Sequence, residues 1–184
     1  DDAALARDFL LTWFVYAAWE VAEVKRLTGA GDDVFERDTL IMAAIGRATS
    51  SVDYVEAVHR RHEHTRRLTT FFESYDLLLT PPTMATPPAK IGEFDLPPLL
   101  QRGSDLLLKT RTAALLRHTG IVDDMVDKNL NWVPYTQLAN LTGRPAISLP
   151  LHWTADGLPL GVQFVAPLDG ETLLLQLAAQ LEQA

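Results

Sequence analysis

Cysteine is absent from the 184-residue chain. That single absence excludes disulfides, thiolate zinc ligands and a cysteine nucleophile. Glycine is sparse: there are ten, none in the G-x-G-x-x-G or G-x-x-x-x-G-K order that cradles phosphates. The G-x-S-x-G turn that presents a nucleophile in one large hydrolase class is missing too. Positive charge is outweighed, with a formal net charge of −8, so a nucleic-acid partner is not expected. No long apolar run exists. The most apolar stretch, Phe9 to Trp19, is about half the length that spans a bilayer. The chain opens on Asp1-Asp2, without the basic start of a signal peptide, so the stretch reads as a buried helix and no membrane partner is expected. The composition fits a cytoplasmic protein. The chain does not begin with Met and reads as though cut from something longer.

What is present is ordinary for a globular domain: 47% apolar and 22% charged residues, at a length that supports one real core. Residues 1–75 read as helical. Leu5, Phe9, Trp13, Ala17, Val21 and Val24 recur at helical steps, and Thr28-Gly29 with Gly31 ends that run. A second helix is expected over Val34 to Arg47. A third starts at Thr49-Ser50-Ser51, where a hydroxyl can cap free amides, with an apolar face of Val52, Val55, Val58, His62, Leu68, Phe72 and Tyr75. Residues 76–184 read differently. Asp76 to Thr80 is expected to be a short buried strand. The proline pairs at 81, 87 and 97 mark an extended connection or linker; the apolar Met84, Ile91, Phe94 and Leu96 among them argue against a polyproline ligand. A helix is expected over Leu106 to His118 with a break at Gly120, then a loop from Asn129 to Pro134. A short helix over Tyr135 to Leu141, ended by Gly143 and Pro145, precedes strands at Ala146–Leu151 and Leu160–Ala166. Ala155-Asp156-Gly157 turns the chain between them. Asp169 is expected to cap a last helix carrying Leu173, Leu177 and Leu181. The order of elements predicts an α/β fold with a mixed sheet covered by helices.

Reactive constellations are few. His59, His62 and His64 sit close together on the third helix, but the H-E-x-x-H spacing is absent and neighbouring arginines repel a cation, so solvated or packing histidines are the better reading and no metal site is assigned. Asp32-Asp33 and Asp123-Asp124 are adjacent and point to different sides in regular structure, which suits caps or loop charges better than an acid/base pair.

Three ordered blocks carry a resemblance. They are Asn140 to Leu151 (NLTGRPAISLPL), Asp156 to Val165 (DGLPLGVQFV) and Glu171 to Leu174 (ETLL). Upstream, Tyr75 to Thr83 (YDLLLTPPT), Pro87 to Gly92 (PPAKIG) and Ser50 to Tyr54 (SSVDY) continue the match. Together they resemble the C-terminal stretch of the amidase-signature family from about Gly46 onward, less closely between Leu99 and Val126. Tyr135 to Asn140 (YTQLAN) and Leu151 to Gly157 (LHWTADG) look nearer to general amidases and 6-aminohexanoate cyclic dimer hydrolases than to the A subunit of tRNA-dependent amidotransferase.

The resemblance implies that the whole of residues 1–184 is the C-terminal part of an amidase domain, within an enzyme that hydrolyses carboxylic amides. The family's reacting groups are a lysine, a cis-peptide serine and a nucleophilic serine in a glycine- and serine-rich segment, with backbone amides as oxyanion donors and neither metal nor cofactor. Here the chain departs from the pattern. Its four lysines, Lys25, Lys90, Lys109 and Lys128, precede no such segment, Ser50-Ser51 lacks flanking glycines, and Ser148 falls where the family places no nucleophile. No catalytic residue is therefore assigned, and this chain alone is expected to be inactive. The implied partners are the N-terminal catalytic part of the same protein, a small-molecule amide, and in addition a second copy of the protein; a noncatalytic scaffold or binding remnant of the fold, or an A subunit of tRNA-dependent amidotransferase, remains the alternative. Three residues are candidates for substrate binding: Trp132 and Tyr135 either line an apolar acyl pocket or pack, and Asn140 either caps the backbone or faces a pocket.

Overall fold

The computed structural model describes residues 2–83, 98–110, 112–118, 130 and 133–183. Two compact units emerge. One comprises Asp1–Ala6, His59–Pro87 and Lys128–Ala184; the other comprises Arg7–Val58 and Pro88–Asp127.

The second unit is helical. Helix α1 (Asp2–Thr28) enters it, followed by a 3-10 turn (Asp32–Val34), α2 (Arg37–Ala48), the start of α3 (Ser51–Phe72), α4 (Pro98–Lys109) and a 3-10 segment (Ala113–His118). Its core gathers Leu10, Phe14, Ala17 and Val21 of α1, Ile41, Ala43 and Ile45 of α2, and Ala113 and Leu116. At Gly46 a side chain would collide with the Phe14 carbonyl, so glycine permits the closest approach of α2 to α1. Arg37 of α2 donates to Asp105 of α4 at 2.6 Å.

The first unit holds the sheet. Strands β1 (Leu78–Thr80), β2 (Ala146–Trp153) and β3 (Pro159–Val165) lie in the order β1-β3-β2 with both pairings antiparallel, so among the described residues the expected mixed sheet is antiparallel: β2 and β3 are joined by a tight hairpin, and β1 runs against β3. Gly157 at φ 77° and the Thr154 hydroxyl, which accepts from the Leu158 amide at 3.0 Å, close the β2–β3 hairpin. A bulge falls between Leu149 and His152, where Pro150 has no N–H to offer the ladder. On one face, Phe164 and Ala166 pack with Leu174 of α6 (Glu171–Leu181), and Ile147, Leu149, Val162 and Leu177 surround them. Helix α5 (Thr136–Thr142) precedes β2.

Several expectations needed correction. On α1 the buried stripe is Leu5, Ala6, Leu10, Phe14, Ala17 and Val21, while Trp13 and Val24 are exposed, as are Tyr16 and Trp19. The run is apolar on every side, so its periodicity fits more than one stripe. Helix α2 starts at Arg37 rather than Val34, because Asp32–Val34 closes a separate turn and Phe35 is extended. On α3 the inward stripe is Ala57, Arg61, His64, Leu68 and Phe71; Val52 is 64% exposed, and Val55, His62 and Tyr75 are exposed too. The Ser50 hydroxyl does cap α3, accepting from the Asp53 amide at 3.0 Å. Helix α4 begins earlier than expected, with Pro98 in its first turn. It ends at Lys109, where the Thr110 hydroxyl turns back to the Leu106 carbonyl. β1 is an edge strand and its Leu79 is 61% exposed. Asp169 makes no cap; it sits at φ 63°, and Gly170 takes the N-cap position. Leu173 is exposed where Leu174 is buried. The segment 84–97, Gly120, and Asn129, Asn131 and Trp132 of the expected loop lie outside the described residues. Among the described residues no helix is long and apolar enough to cross a membrane.

Candidate functional site

Helix α5 organises the region around the candidate residues. Tyr135 stands at its N-cap, with φ −104° and ψ −15°, and its side chain is 38% exposed. The Asn140 amide is on the exposed side and donates to the Thr136 carbonyl at 3.2 Å, one turn back along the same helix. Five positions separate the two, about 140° around a helix, so they do not share a face. Trp132 lies outside the described residues. Gly143 ends the helix at φ 68°, and the Arg144 amide reaches the Ala139 carbonyl at 3.2 Å.

Beneath α5 lies a buried polar set that sequence reasoning passed over. Gln163 of β3 pairs across the sheet with Thr80 of β1. Its Nε2 donates to the Thr80 hydroxyl at 3.1 Å and to the Tyr135 carbonyl at 3.5 Å. One side chain thus ties two strands to the entry of α5. Gln137, also buried, donates to the Val133 carbonyl at 2.8 Å. Arg144 is only 7% exposed; its Nη2 donates to the Thr69 hydroxyl at 2.6 Å, and its guanidinium lies 5.6 Å from the centre of the Phe72 ring. Its Nε has no partner among the described residues. A signal for Gln163 existed. A glutamine between Val162 and Phe164, in a strand otherwise apolar, must find a partner if both sheet faces are covered.

Several of the described reactive side chains have structural occupations. Ser50 caps α3. A side chain at Gly161 would meet the Ser148 hydroxyl, so that hydroxyl rests against the Gly161 backbone. Lys25 pairs with Asp32. The His59 and His62 rings meet edge-on at 6.3 Å on the exposed side of α3. Among the described residues no group of three or more histidines and carboxylates could hold a metal ion. The arrangement therefore orients and buries polar groups.

Comparison with known proteins gives this arrangement its context. The profile of the amidase family matches residues 17–175. The chain is 34% identical over 178 residues to the putative amidase AmiC of Mycobacterium leprae, covering 96% of this chain and 33% of that protein. It is 31% identical over 187 residues to the 6-aminohexanoate-cyclic-dimer hydrolase of a Pseudomonas strain, covering all of this chain and 34% of that enzyme. The solved structure of 6-aminohexanoate cyclic dimer hydrolase complexed with substrate superposes with a TM-score of 0.72 at 30% identity, over 98% of this chain and 36% of that one. The chain spans about a third of the length of the curated relatives it matches. With the match running through both compact units, the chain belongs to the amidase-signature family.

Proposed function

We propose that this chain is the C-terminal part of an amide-bond hydrolase acting on linear or cyclic carboxylic amides. The observation that carries the reading is the likeness of nearly the whole chain, in sequence and in fold, to a 6-aminohexanoate cyclic dimer hydrolase. In this reading the lysine and the two serines lie outside the chain. A base takes the proton of the nucleophilic serine, whose oxygen attacks the amide carbonyl, and backbone amides hold the resulting oxyanion. The amine leaves with a proton, and water then hydrolyses the acyl ester. The occupied states of Ser50 and Lys25 support this division of labour.

The partners follow from the same reading. The rest of the protein covers apolar side chains that stand exposed here, Trp13, Tyr16 and Trp19 on α1 and Leu79 on the sheet edge. A homodimer uses surface beyond those. Trp132, Tyr135 and Asn140 contribute to the substrate side. Tyr135 and Asn140 are both accessible to solvent, although they stand about 140° apart around α5 and the Asn140 amide is held by the Thr136 carbonyl.

The test is amine release by the full-length protein from a panel of aliphatic, aryl and cyclic amides. Turnover of at least one class is expected, with a loss of at least about a thousandfold when the serine of the glycine- and serine-rich segment is replaced. Tyr135→Ala and Asn140→Ala are expected to raise KM more than they lower kcat. A correctly folded protein that hydrolyses none of the amides would refute the enzyme reading and leave the scaffold.

A further inference from the structure

We propose that Gln163 is a positioning residue for substrate: through the Tyr135 main chain it sets the direction in which the Tyr135 side chain is presented. The role rests on the placement of Tyr135 on the substrate side, made under the proposed function. Gln163 is 6% exposed. A buried carboxamide costs free energy unless it is hydrogen-bonded, and a leucine in this strand would carry no such cost. The carboxamide Nε2 donates to the Thr80 hydroxyl at 3.1 Å and to the Tyr135 carbonyl at 3.5 Å. The first bond anchors the side chain on the neighbouring strand, where Thr80 and Gln163 are directly paired. The second, longer contact reaches out of the sheet to the turn before α5.

That turn needs outside support. Helix α5 has seven residues, too few to hold its own shape. Tyr135 at its N-cap makes no side-chain cap bond. Instead the Gln137 Nε2 and the Thr136 hydroxyl donate to the Val133 carbonyl at 2.8 Å and 3.1 Å. The ring of Pro134 fixes its own φ. The Val133 carbonyl lies in the peptide plane before Pro134, and the Tyr135 carbonyl in the plane after Tyr135. Holding both planes fixes the direction of the Tyr135 side chain between them. Gln137 and Thr136 act from within the turn and its helix; of the hydrogen bonds described for this turn, only that of Gln163 ties it to the sheet. A side chain already held in its bound direction loses less entropy when substrate arrives. The reacting groups lie elsewhere in the proposed function, so release of Tyr135 should weaken binding and spare the chemical step.

The experiment is steady-state kinetics of the full-length protein on its best amide substrate, with Gln163→Leu, Thr80→Val, Tyr135→Ala and the double variant of Gln163→Leu with Tyr135→Ala. Gln163→Leu is expected to raise KM about three- to tenfold, the weight of one hydrogen bond, with kcat within about twofold of the parent. Thr80→Val keeps the strand and frees the carboxamide, so KM should rise in the same direction by less. The double variant should have the KM of Tyr135→Ala alone, because Gln163 acts through that side chain. A role in packing alone would make the two effects add. Additive effects, an unchanged KM in Gln163→Leu, or a fall in kcat at constant KM would overturn the role of Gln163 and leave Tyr135 where it is. An unchanged KM in Tyr135→Ala would overturn the placement of Tyr135 and the role of Gln163 together, as would a full-length protein that hydrolyses none of the amides.

Discussion

Arg144 carries a buried positive charge whose described partners are a hydroxyl and an aromatic face. Neither neutralises it. Desolvation of a cation costs several kcal/mol unless a counter-charge or full hydrogen bonding offsets it. The guanidinium also fills space between Thr69, Phe72 and the end of α5, and packing and charge can be separated by substitution. Arg144→Met keeps most of the volume and discards the charge, so its stability is expected to stay within about 1 kcal/mol of the parent or to exceed it. Arg144→Ala removes the volume as well and should lose about 2–4 kcal/mol. Chemical denaturation of the full-length protein checks both. A Met variant as damaged as the Ala variant would mean that the charge itself is essential.

At the scale of elements, helix contact and helix propensity make opposite demands on glycine. Gly46 lies where α2 meets the α1 backbone, so Gly46→Ala must push the helices apart and is expected to cost about 1–3 kcal/mol. Gly103, in the exposed middle of α4, has nothing within 4 Å of where a side chain would stand. Gly103→Ala is expected to gain about 0.5–1 kcal/mol. Thermal midpoints that move in the same direction for both would contradict the α1–α2 contact. These elements also show what the sequence could tell. The cap at Ser50, the stop at Gly143 and the turn at Gly157 were legible because each is fixed by the chemistry of one residue. The buried stripes of α1 and α3 were legible only in part: Leu5, Ala17, Val21 and Leu68 are buried as expected, but Trp13, Val24, Val52 and Val55 are not, because an all-round apolar run and an arginine-rich helix each fit more than one register. The site was less legible still. Gln163, Thr80 and Tyr135 meet only through pairing between β1 and β3, far apart in sequence, and no local pattern announces such a meeting.

For the whole molecule, the central fact is that the curated relatives are about three times as long as this chain. Trp13, Tyr16 and Trp19 stand exposed along α1, and Leu27 near its end is exposed as well. If the rest of the protein covers the aromatic stripe, hydroxyl-radical footprinting of the full-length protein should find Trp13 and Trp19 protected. Leu27 then reports the exposed helix end. Protection that disappears on dilution would assign the cover to a second copy instead, and tryptophans oxidised as fast as in denatured protein would leave the stripe uncovered.

The pairing of β1 with β3 has a consequence in time. Thr80 meets Gln163 across 83 positions of chain. At synthesis rates of about 5–20 residues per second, β1 waits roughly 4–17 s for its partner to be made. The β2–β3 hairpin, once complete, closes in about 1–10 µs. During the wait Leu78 and Leu79 lack the β3 partners with which they pair here. This short leucine run is therefore a segment of the nascent chain on which a chaperone has seconds in which to act.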